Sequence, residues 1–271
     1  SMFQPSQDQR FPAGGGLQQP ARVAATAQAP TWGPASARWS SPLGGKFGVL
    51  AVLKIVALVV GYFAALIFAL FVVSFVRDGA STTALFILVL LGSSVVMGIG
   101  MWAFVVSPLG GRWDVIGWRP PARSMWNLLW QIPLIIVSAL IVQIAVIAPF
   151  TSAEPAQGSV EEVLVGTSLP VVAIGVILIC GVVPVWEELF FRGVVFGMIR
   201  TRLGRWGGAA LAGCVFAIVH LVAVGFPYLA VIGFSLCIMA EWYRSVVPGI
   251  ILHSVNNALV AITLLTAAAA G

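Results

Sequence analysis

Three short polar motifs interrupt apolar segments in the second half of the chain and contain the residues best suited to catalysis. Glu187, Glu188 and Arg192 lie in the run VPVWEELFFR, and the two histidines of the chain, His220 and His253, lie in the runs FAIVH and HSVNN. A charged side chain at membrane depth costs about 2.5–3.5 kcal/mol on insertion scales. Polar groups this concentrated in apolar surroundings predict one shared site.

Helical spacing separates the roles of the two glutamates. Glu188 and Arg192 are four residues apart, so on a helix they share a face and are expected to form an ion pair. Glu187 points about 100° away, which leaves its carboxylate available for proton transfer. The alternative is that all three form a charge cluster at the cytoplasmic end of a membrane span.

The histidines supply the remaining groups that hydrolysis of an amide requires. Phe216 and His220 are four residues apart, as are His253 and Asn257, so each pair shares a helix face. Alone, either histidine fits a packing or interhelical hydrogen-bonding role. Together with Glu187 they predict a water activated by the glutamate and one histidine, and an oxyanion held by the other histidine and the asparagine. Two imidazoles and a carboxylate are also zinc ligands, so Glu187, His220 and His253 form an alternative metal site.

The composition indicates that membrane-spanning helices position these catalytic candidates. The chain has 271 residues, of which 60% are hydrophobic and 8% charged, and its mean hydropathy is +1.03. Soluble domains carry about 25% charged residues, so we predict an all-α polytopic membrane protein. Cys180, Cys214 and Cys237 are dispersed and odd in number, which argues against a disulfide framework or a thiolate zinc site.

The apolar runs predict about seven membrane spans. A helix needs about 20 apolar residues to cross the hydrocarbon core. The predicted spans are Phe47–Val76, Ser81–Ser107, Met125–Phe150, Ser168–Trp186, Trp206–Val224, Phe226–Ala240 and Pro248–Ala268. The segment 187–205 is either a continuation of the fourth span into the cytoplasm or a second helix after a break, and Pro184 is a candidate kink. The total is therefore seven to eight.

The segment before the first span has a different character. Residues 1–45 are rich in Pro, Gly, Ala, Ser and Gln without apolar periodicity, which predicts a disordered tail. Residues 46–271 form the predicted membrane bundle. The tail is a candidate site for a protein partner.

The distribution of charge predicts the orientation. Arginines concentrate in the segments 112–123 and 200–205 and at Arg244, whereas the alternate loops hold Arg77 and the acidic stretch 154–162. Because basic loops stay in the cytoplasm, we expect a cytoplasmic N-terminus and, after seven spans, an external C-terminus. The net charge of +5 reflects this topology and not a nucleic-acid partner.

In this order, the motifs Glu187–Arg192 (EExxxR), Phe216–His220 (FxxxH) and His253–Asn257 (HxxxN) resemble the signatures of the CAAX protease and bacteriocin-processing family, also called CPBP or Abi. The resemblance covers residues 125–262. It implies a helical bundle around a conical polar cavity open to the cytoplasm.

The resemblance also implies a role for each motif residue. Glu187 is the implied general base and His220 helps to activate water, while His253 and Asn257 form the oxyanion or metal side. Glu188 and Arg192 support the site. Members are described as metalloproteases, which keeps zinc as a candidate cofactor.

The resulting functional prediction is an intramembrane endopeptidase, glutamate-dependent or metal-dependent, acting on a peptide or a membrane protein. The Ala-, Gly- and Val-rich composition favours a bacterial protein of the cytoplasmic membrane, in contact with lipids, and disfavours a prenylated Ras-like substrate. The alternative is a non-proteolytic scaffold or regulator that uses the same bundle to bind a protein or lipid. A transporter is disfavoured because no inverted repeat is evident.

Overall fold

The described part of the chain is almost entirely helical. The computed structural model describes residues 46–76, 82–150, 169–220 and 224–270, and these ranges contain no β-strand. The predicted all-α class is therefore confirmed, while the predicted tail, residues 1–45, lies outside the described residues. The α-helices are α1 (Lys46–Val76), α2 (Thr82–Met101), α3 (Leu128–Ile147), α4 (Leu169–Ile177), α5 (Val183–Glu188), α6 (Gly197–Val219), α7 (Phe226–Tyr243) and α8 (Val247–Ala270).

The membrane spans agree with the sequence prediction once one long segment is taken into account. In the described residues, six helical segments are long and apolar enough to cross a membrane, so the chain is a multi-pass membrane protein. One of them, Leu169–Val219, has 51 residues and includes most of both the fourth and the fifth predicted span. The backbone leaves helical geometry within α6 at Gly204, with φ 68° and ψ −177°, a conformation that glycine adopts without a steric penalty.

The glutamate motif lies in a helix with two widened turns. π-Helical segments at Leu178–Val182 and Leu189–Phe196 directly flank α5. Pro184 lies in the first turn of α5, where the missing N–H of a proline is tolerated. The helical segments therefore follow one another through Pro184 and Glu187 without a gap, and the break comes later, at Gly204. Such π segments are often found at functional sites.

Two glycines allow α6 and α7 to pack closely. A Cβ atom on Gly213 would lie 2.6 Å from the Phe234 nitrogen, and one on Gly233 would lie 2.9 Å from the Gly213 Cα. Neither position can therefore hold a larger side chain without separating the helices. The close crossing brings the Gly233 carbonyl to the Arg192 guanidinium of the glutamate motif, 3.3 Å from Nη2.

The loop before α3 is bonded to the turn between α7 and α8. The Ala122 N–H donates to the Tyr243 carbonyl at 2.8 Å, and the Val246 N–H donates to the Gly117 carbonyl at 3.0 Å. The same loop packs on the glutamate-motif helix, because a Cβ on Gly193 would lie 2.4 Å from the Ile116 carbonyl oxygen. These contacts place the loop, the α7–α8 turn and the end of the glutamate motif at one end of the bundle.

Candidate active site

The three motifs converge on one carboxylate oxygen. Glu187 lies on α5, His253 lies on α8, and His220 follows the last residue of α6. The Nε2 atoms of His253 and His220 lie 3.6 and 3.9 Å from Glu187 Oε2. This oxygen is buried and makes no hydrogen bond to any described residue. Residues separated by 33 and 66 positions in sequence thus face one point.

The second glutamate lies in a fully buried ion pair. Glu188 Oε1 is 2.8 Å from Arg192 Nη1, and both side chains are 0% exposed. The same oxygen is 3.0 Å from His253 Nδ1. The ion pair expected from the i,i+4 spacing of Glu188 and Arg192 is therefore present. Glu188 also holds the His253 imidazole, which faces Glu187.

Hydrogen bonds define the tautomer of each histidine. His220 Nδ1 lies 2.7 Å from the Phe216 carbonyl, and His253 Nδ1 lies 3.0 Å from the Glu188 carboxylate. Both partners are acceptors only, so each Nδ1 carries the hydrogen. Each neutral ring therefore presents the lone pair of its Nε2 towards Glu187.

Phe216 packs against most of the site. Its ring lies 4.4 Å from the His220 ring and 5.6 Å from the His253 ring. The Arg192 guanidinium lies over the same ring, 4.4 Å from its centroid. One aromatic side chain thus packs against the Arg192 guanidinium and both imidazoles.

Asn257 belongs to a hydrogen-bond chain that the motif spacing does not reveal. Its Nδ2 donates to the Ile179 carbonyl at 3.0 Å, and its Oδ1 accepts from Asn256 Nδ2 at 3.3 Å. Asn256 Oδ1 in turn accepts from the Tyr228 hydroxyl at 2.5 Å. Ile179 lies in the first π segment, where the widened turn makes a carbonyl available to a side chain.

Sequence reasoning missed Tyr228, Asn256 and Gln143. Gln143 on α3 donates to the Val224 carbonyl at 2.7 Å and accepts from the Tyr228 N–H at 3.1 Å, which fixes the start of α7 over the site. The only available signal was a polar side chain in an apolar run. Such a signal gives no spacing that links these residues to the three motifs.

The converging groups line one end of a cavity of about 830 Å³. Glu187, His220 and His253 contribute to its wall, together with Asn256, Asn257 and Tyr228. The rest of the wall is mostly aliphatic, from α3, α4 and the second half of α8. A polar end and an apolar wall are typical of a site that orients a substrate with few polar groups.

The donor types at this point suit zinc, but their placement does not yet form a metal site. In the part of the chain that the structure describes, no group of three His, Cys, Asp or Glu side chains is placed to hold a metal ion. The two Nε2 atoms and the Glu187 oxygen nevertheless have the chemistry of a His₂Glu set.

Comparison with known proteins gives a match to a family model over part of the chain. Residues 168–259 match the family model described as Type II CAAX prenyl endopeptidase Rce1-like, and this segment contains all three motifs. No curated protein and no solved structure gave a match to the chain. The resemblance to the CAAX protease and bacteriocin-processing family is thus confirmed over residues 168–259, and it supports a membrane-embedded endopeptidase.

Proposed function

We propose that the protein hydrolyses a peptide bond at the membrane with a water molecule activated by Glu187. The observation that carries this proposal is the convergence of three acceptor groups on one point. Glu187 Oε2 lies 3.6 and 3.9 Å from the two Nε2 atoms, which is too far for direct hydrogen bonds. A water placed between these groups, within roughly 2.8–3.0 Å of its partners, can donate its two hydrogens to two of these three acceptors.

The proposed reaction has two proton transfers. Water donates one hydrogen to Glu187 and the other to His220, so that a lone pair of its oxygen attacks the substrate carbonyl carbon. Glu187 takes the proton as the C–O bond forms. It then returns that proton to the amide nitrogen as the C–N bond breaks. The products are a carboxylic acid and an amine, between which a proton then passes to give a carboxylate and an ammonium, and Glu187 regains its charge.

The oxyanion of the tetrahedral intermediate needs donors on the opposite side. Asn257 Nδ2 has two hydrogens, and Ile179 accepts one of them, which leaves the second for the oxyanion. His253 would donate from Nε2 when its ring carries a second proton, and the Glu188 carboxylate at its Nδ1 holds that ring in position. Donors held in place before the reaction are the most effective source of such stabilisation.

Glu188 and Arg192 act through His253 in this proposal. Both are completely buried, so neither can touch a substrate. Glu188 holds the imidazole by its Nδ1, and Arg192 balances the charge of Glu188. They are therefore positioning residues, and Glu188 acts like the carboxylate that orients the histidine of a catalytic triad.

A zinc-dependent hydrolysis at the same site is the alternative mechanism. If bound, it would be held by Glu187, His220 and His253 and would supply a more acidic water. A stoichiometric zinc content in the purified protein that is lost in His220→Ala would establish this version. Full activity after exhaustive chelation would establish the version without metal.

The test compares peptides in membranes from cells that express the full chain or its variants. Glu187→Gln keeps the shape of the side chain, and we expect it to lose product formation by about 10³-fold or more, with a loss of about 10²–10⁴-fold for His220→Ala. Asp114→Asn, in a loop away from the site, is the matched carboxylate control and should retain wild-type levels.

The same comparison separates hydrolysis from a scaffold role. A scaffold would still complement a deletion strain with Glu187→Gln, because partner binding needs the fold and not the base. Full complementation by folded Glu187→Gln, with unchanged membrane peptides, would refute the proposal. A partner that binds through residues 1–45 would then become the leading alternative.

A further inference from the structure

Two arginines of the loop before α3 are attached to the turn between α7 and α8. Arg119 donates from Nε to the Arg244 carbonyl at 2.6 Å, and Arg123 donates from Nε to the Trp242 carbonyl at 3.0 Å. The Arg123 guanidinium also lies over the Trp242 ring, 4.7 Å from its centroid. Because Arg244 belongs to this turn, three arginines share one part of the molecule. We call Arg119, Arg123 and Arg244 the arginine cluster.

The positive charge of the cluster is not fully compensated by the part of the chain that the structure describes. There, no carboxylate forms an ion pair with Arg119 or Arg123, and Asp114, which acts on Arg119 from a distance, is itself paired with Arg112. Arg119 Nη2 is buried and makes no hydrogen bond to a described residue. Burial, and next the charge of Arg244, lower the pKa of the Arg119 guanidinium. An anion beside the turn would offset the repulsion between these two charges.

The arginine cluster lies at the ends of three membrane spans. The spans Met125–Phe150 and Val247–Thr266 begin within three residues of it, and Phe226–Tyr243 ends directly before Arg244. Tryptophan is enriched where the hydrocarbon meets the lipid headgroups. Three tryptophans near the cluster are exposed, namely Trp118, Trp126 and Trp130, at 46%, 80% and 54%. The cluster is therefore at the depth of the lipid phosphates.

An open apolar groove begins beside the cluster. It has a volume of about 550 Å³ and lies between the start of α3 and one face of α8, and all eight side chains that line it are apolar. Met125 and Trp126, which follow Arg123 closely in sequence, form one end of this lining. Leu129 and Ile251, which also line it, are exposed. The groove therefore faces lipid and is not covered by another described helix.

We infer that the arginine cluster and the groove together bind one anionic phospholipid, with its phosphate at the arginines and an acyl chain in the groove. Arg123 is exposed and provides accessible donors, since its Nη nitrogens make no hydrogen bond to any described residue. The fork of an arginine matches the oxygens of a phosphate. A free phosphate would satisfy the charge but would make no use of the groove, which favours a lipid as the source. This binding does not depend on hydrolysis at Glu187.

Lipid competition tests the site in the full chain. The purified protein is delipidated in detergent and incubated with equal amounts of phosphatidylglycerol and phosphatidylcholine that carry the same acyl chains. Native mass spectrometry then counts the bound molecules of each lipid. The variants are Arg119→Gln, Arg123→Gln and Ile251→Trp, which fills the groove. Arg202→Gln, at an exposed position of α6, is the matched control because it removes the same charge outside the cluster.

We expect the wild-type chain to prefer phosphatidylglycerol by about 10-fold or more, since each arginine beside an anionic headgroup is worth about fivefold in affinity. Arg123→Gln should lower this preference about fivefold, and Arg202→Gln should leave it unchanged. Ile251→Trp should weaken the binding of both lipids. Arg119→Gln also removes the bond to the Arg244 carbonyl, so the exposed Arg123→Gln decides the question if Arg119→Gln does not fold.

Three results would overturn the inference. The first is equal binding of the two lipids by the wild-type chain, and the second is an equal loss of preference in Arg123→Gln and Arg202→Gln. The third is full affinity for phosphatidylglycerol in Ile251→Trp, because the acyl chain would then lie elsewhere. Millimolar inorganic phosphate, added as a competitor, should not displace the lipid, and displacement would show that the cluster is a site for a soluble anion instead.

Discussion

Glu188→Gln tests whether the buried ion pair stabilises the fold, the catalytic geometry, or both. The substitution keeps the size of the side chain and removes its charge, so Arg192 stays buried without a counterion. Both side chains are 0% exposed. Removing one partner of a buried pair costs about 3–5 kcal/mol, which is roughly two to four powers of ten in the unfolding equilibrium.

The double variant Glu188→Gln, Arg192→Met separates the two effects. It removes both charges and replaces the arginine with an apolar chain of similar length, so most of the lost stability should return. Hydrolysis should stay about 10²-fold or more below wild type, because a neutral amide at His253 Nδ1 no longer fixes the tautomer and orientation of that imidazole. Stability is measured by denaturant titration in detergent micelles, and hydrolysis by membrane-peptide release.

A surface ion pair provides the control for this reasoning. Arg112 lies 2.8 Å from Asp114, and the two side chains are 66% and 39% exposed. Arg112 holds the pKa of the Asp114 carboxyl below its usual value, yet solvent screens such pairs. Asp114→Asn should therefore hardly change the unfolding midpoint. If Glu188→Gln is equally harmless, or if the double variant regains full hydrolysis, the argument from burial and orientation is wrong.

Two further substitutions probe the support of the site. Tyr228→Phe removes the donor to Asn256 Oδ1 and so acts on the orientation of Asn257. It should lower kcat by about 10-fold with little change in KM. A loss of stability in the denaturant titration, with kcat unchanged, would instead indicate a packing role. Gly249→Ala would place a Cβ 2.8 Å from Glu188 Oε2 and should impair hydrolysis by displacing that carboxylate. Gly98→Ala is the control, because the space around its Cβ is open, and it should leave stability unchanged or raise it by up to about 1 kcal/mol. Equal effects of the two glycine substitutions would contradict the close contact between Gly249 and Glu188.

The fold class could be predicted because hydropathy is a local property. A run of about 20 apolar residues must form a helix in lipid, where unpaired backbone groups are too costly. The i,i+4 pairing of Glu188 with Arg192 could be predicted for the same reason, since helical geometry alone brings them together. The position of the break at Gly204 could not, because the sequence around Pro184 offered an equally plausible kink.

The convergence of the motifs required more than local rules. No helical period relates Glu187 to His220 or His253, so their proximity was predicted from the polar residue types within apolar runs and from the family resemblance, and not from spacing. Asn256 and Tyr228 carried no such resemblance, and only the packing of α7 against α8 revealed their bond. From the sequence, their polar side chains could be interpreted only as separate interhelical hydrogen-bonding groups, and the structure connects them to Asn257.

The sequence by itself determined that the chain crosses the membrane, that its arginines lie in alternate loops, and that a glutamate, two histidines and an asparagine lie within apolar runs as candidates for one site. These properties follow from composition, charge and helical period, all of which are encoded along the chain. Only the tertiary structure decided which oxygen of which glutamate faces both imidazoles, and that Asn256 and Tyr228 share one cavity wall with them. Those features depend on the packing of helices that are distant in sequence around one cavity. No local sequence pattern specifies that packing.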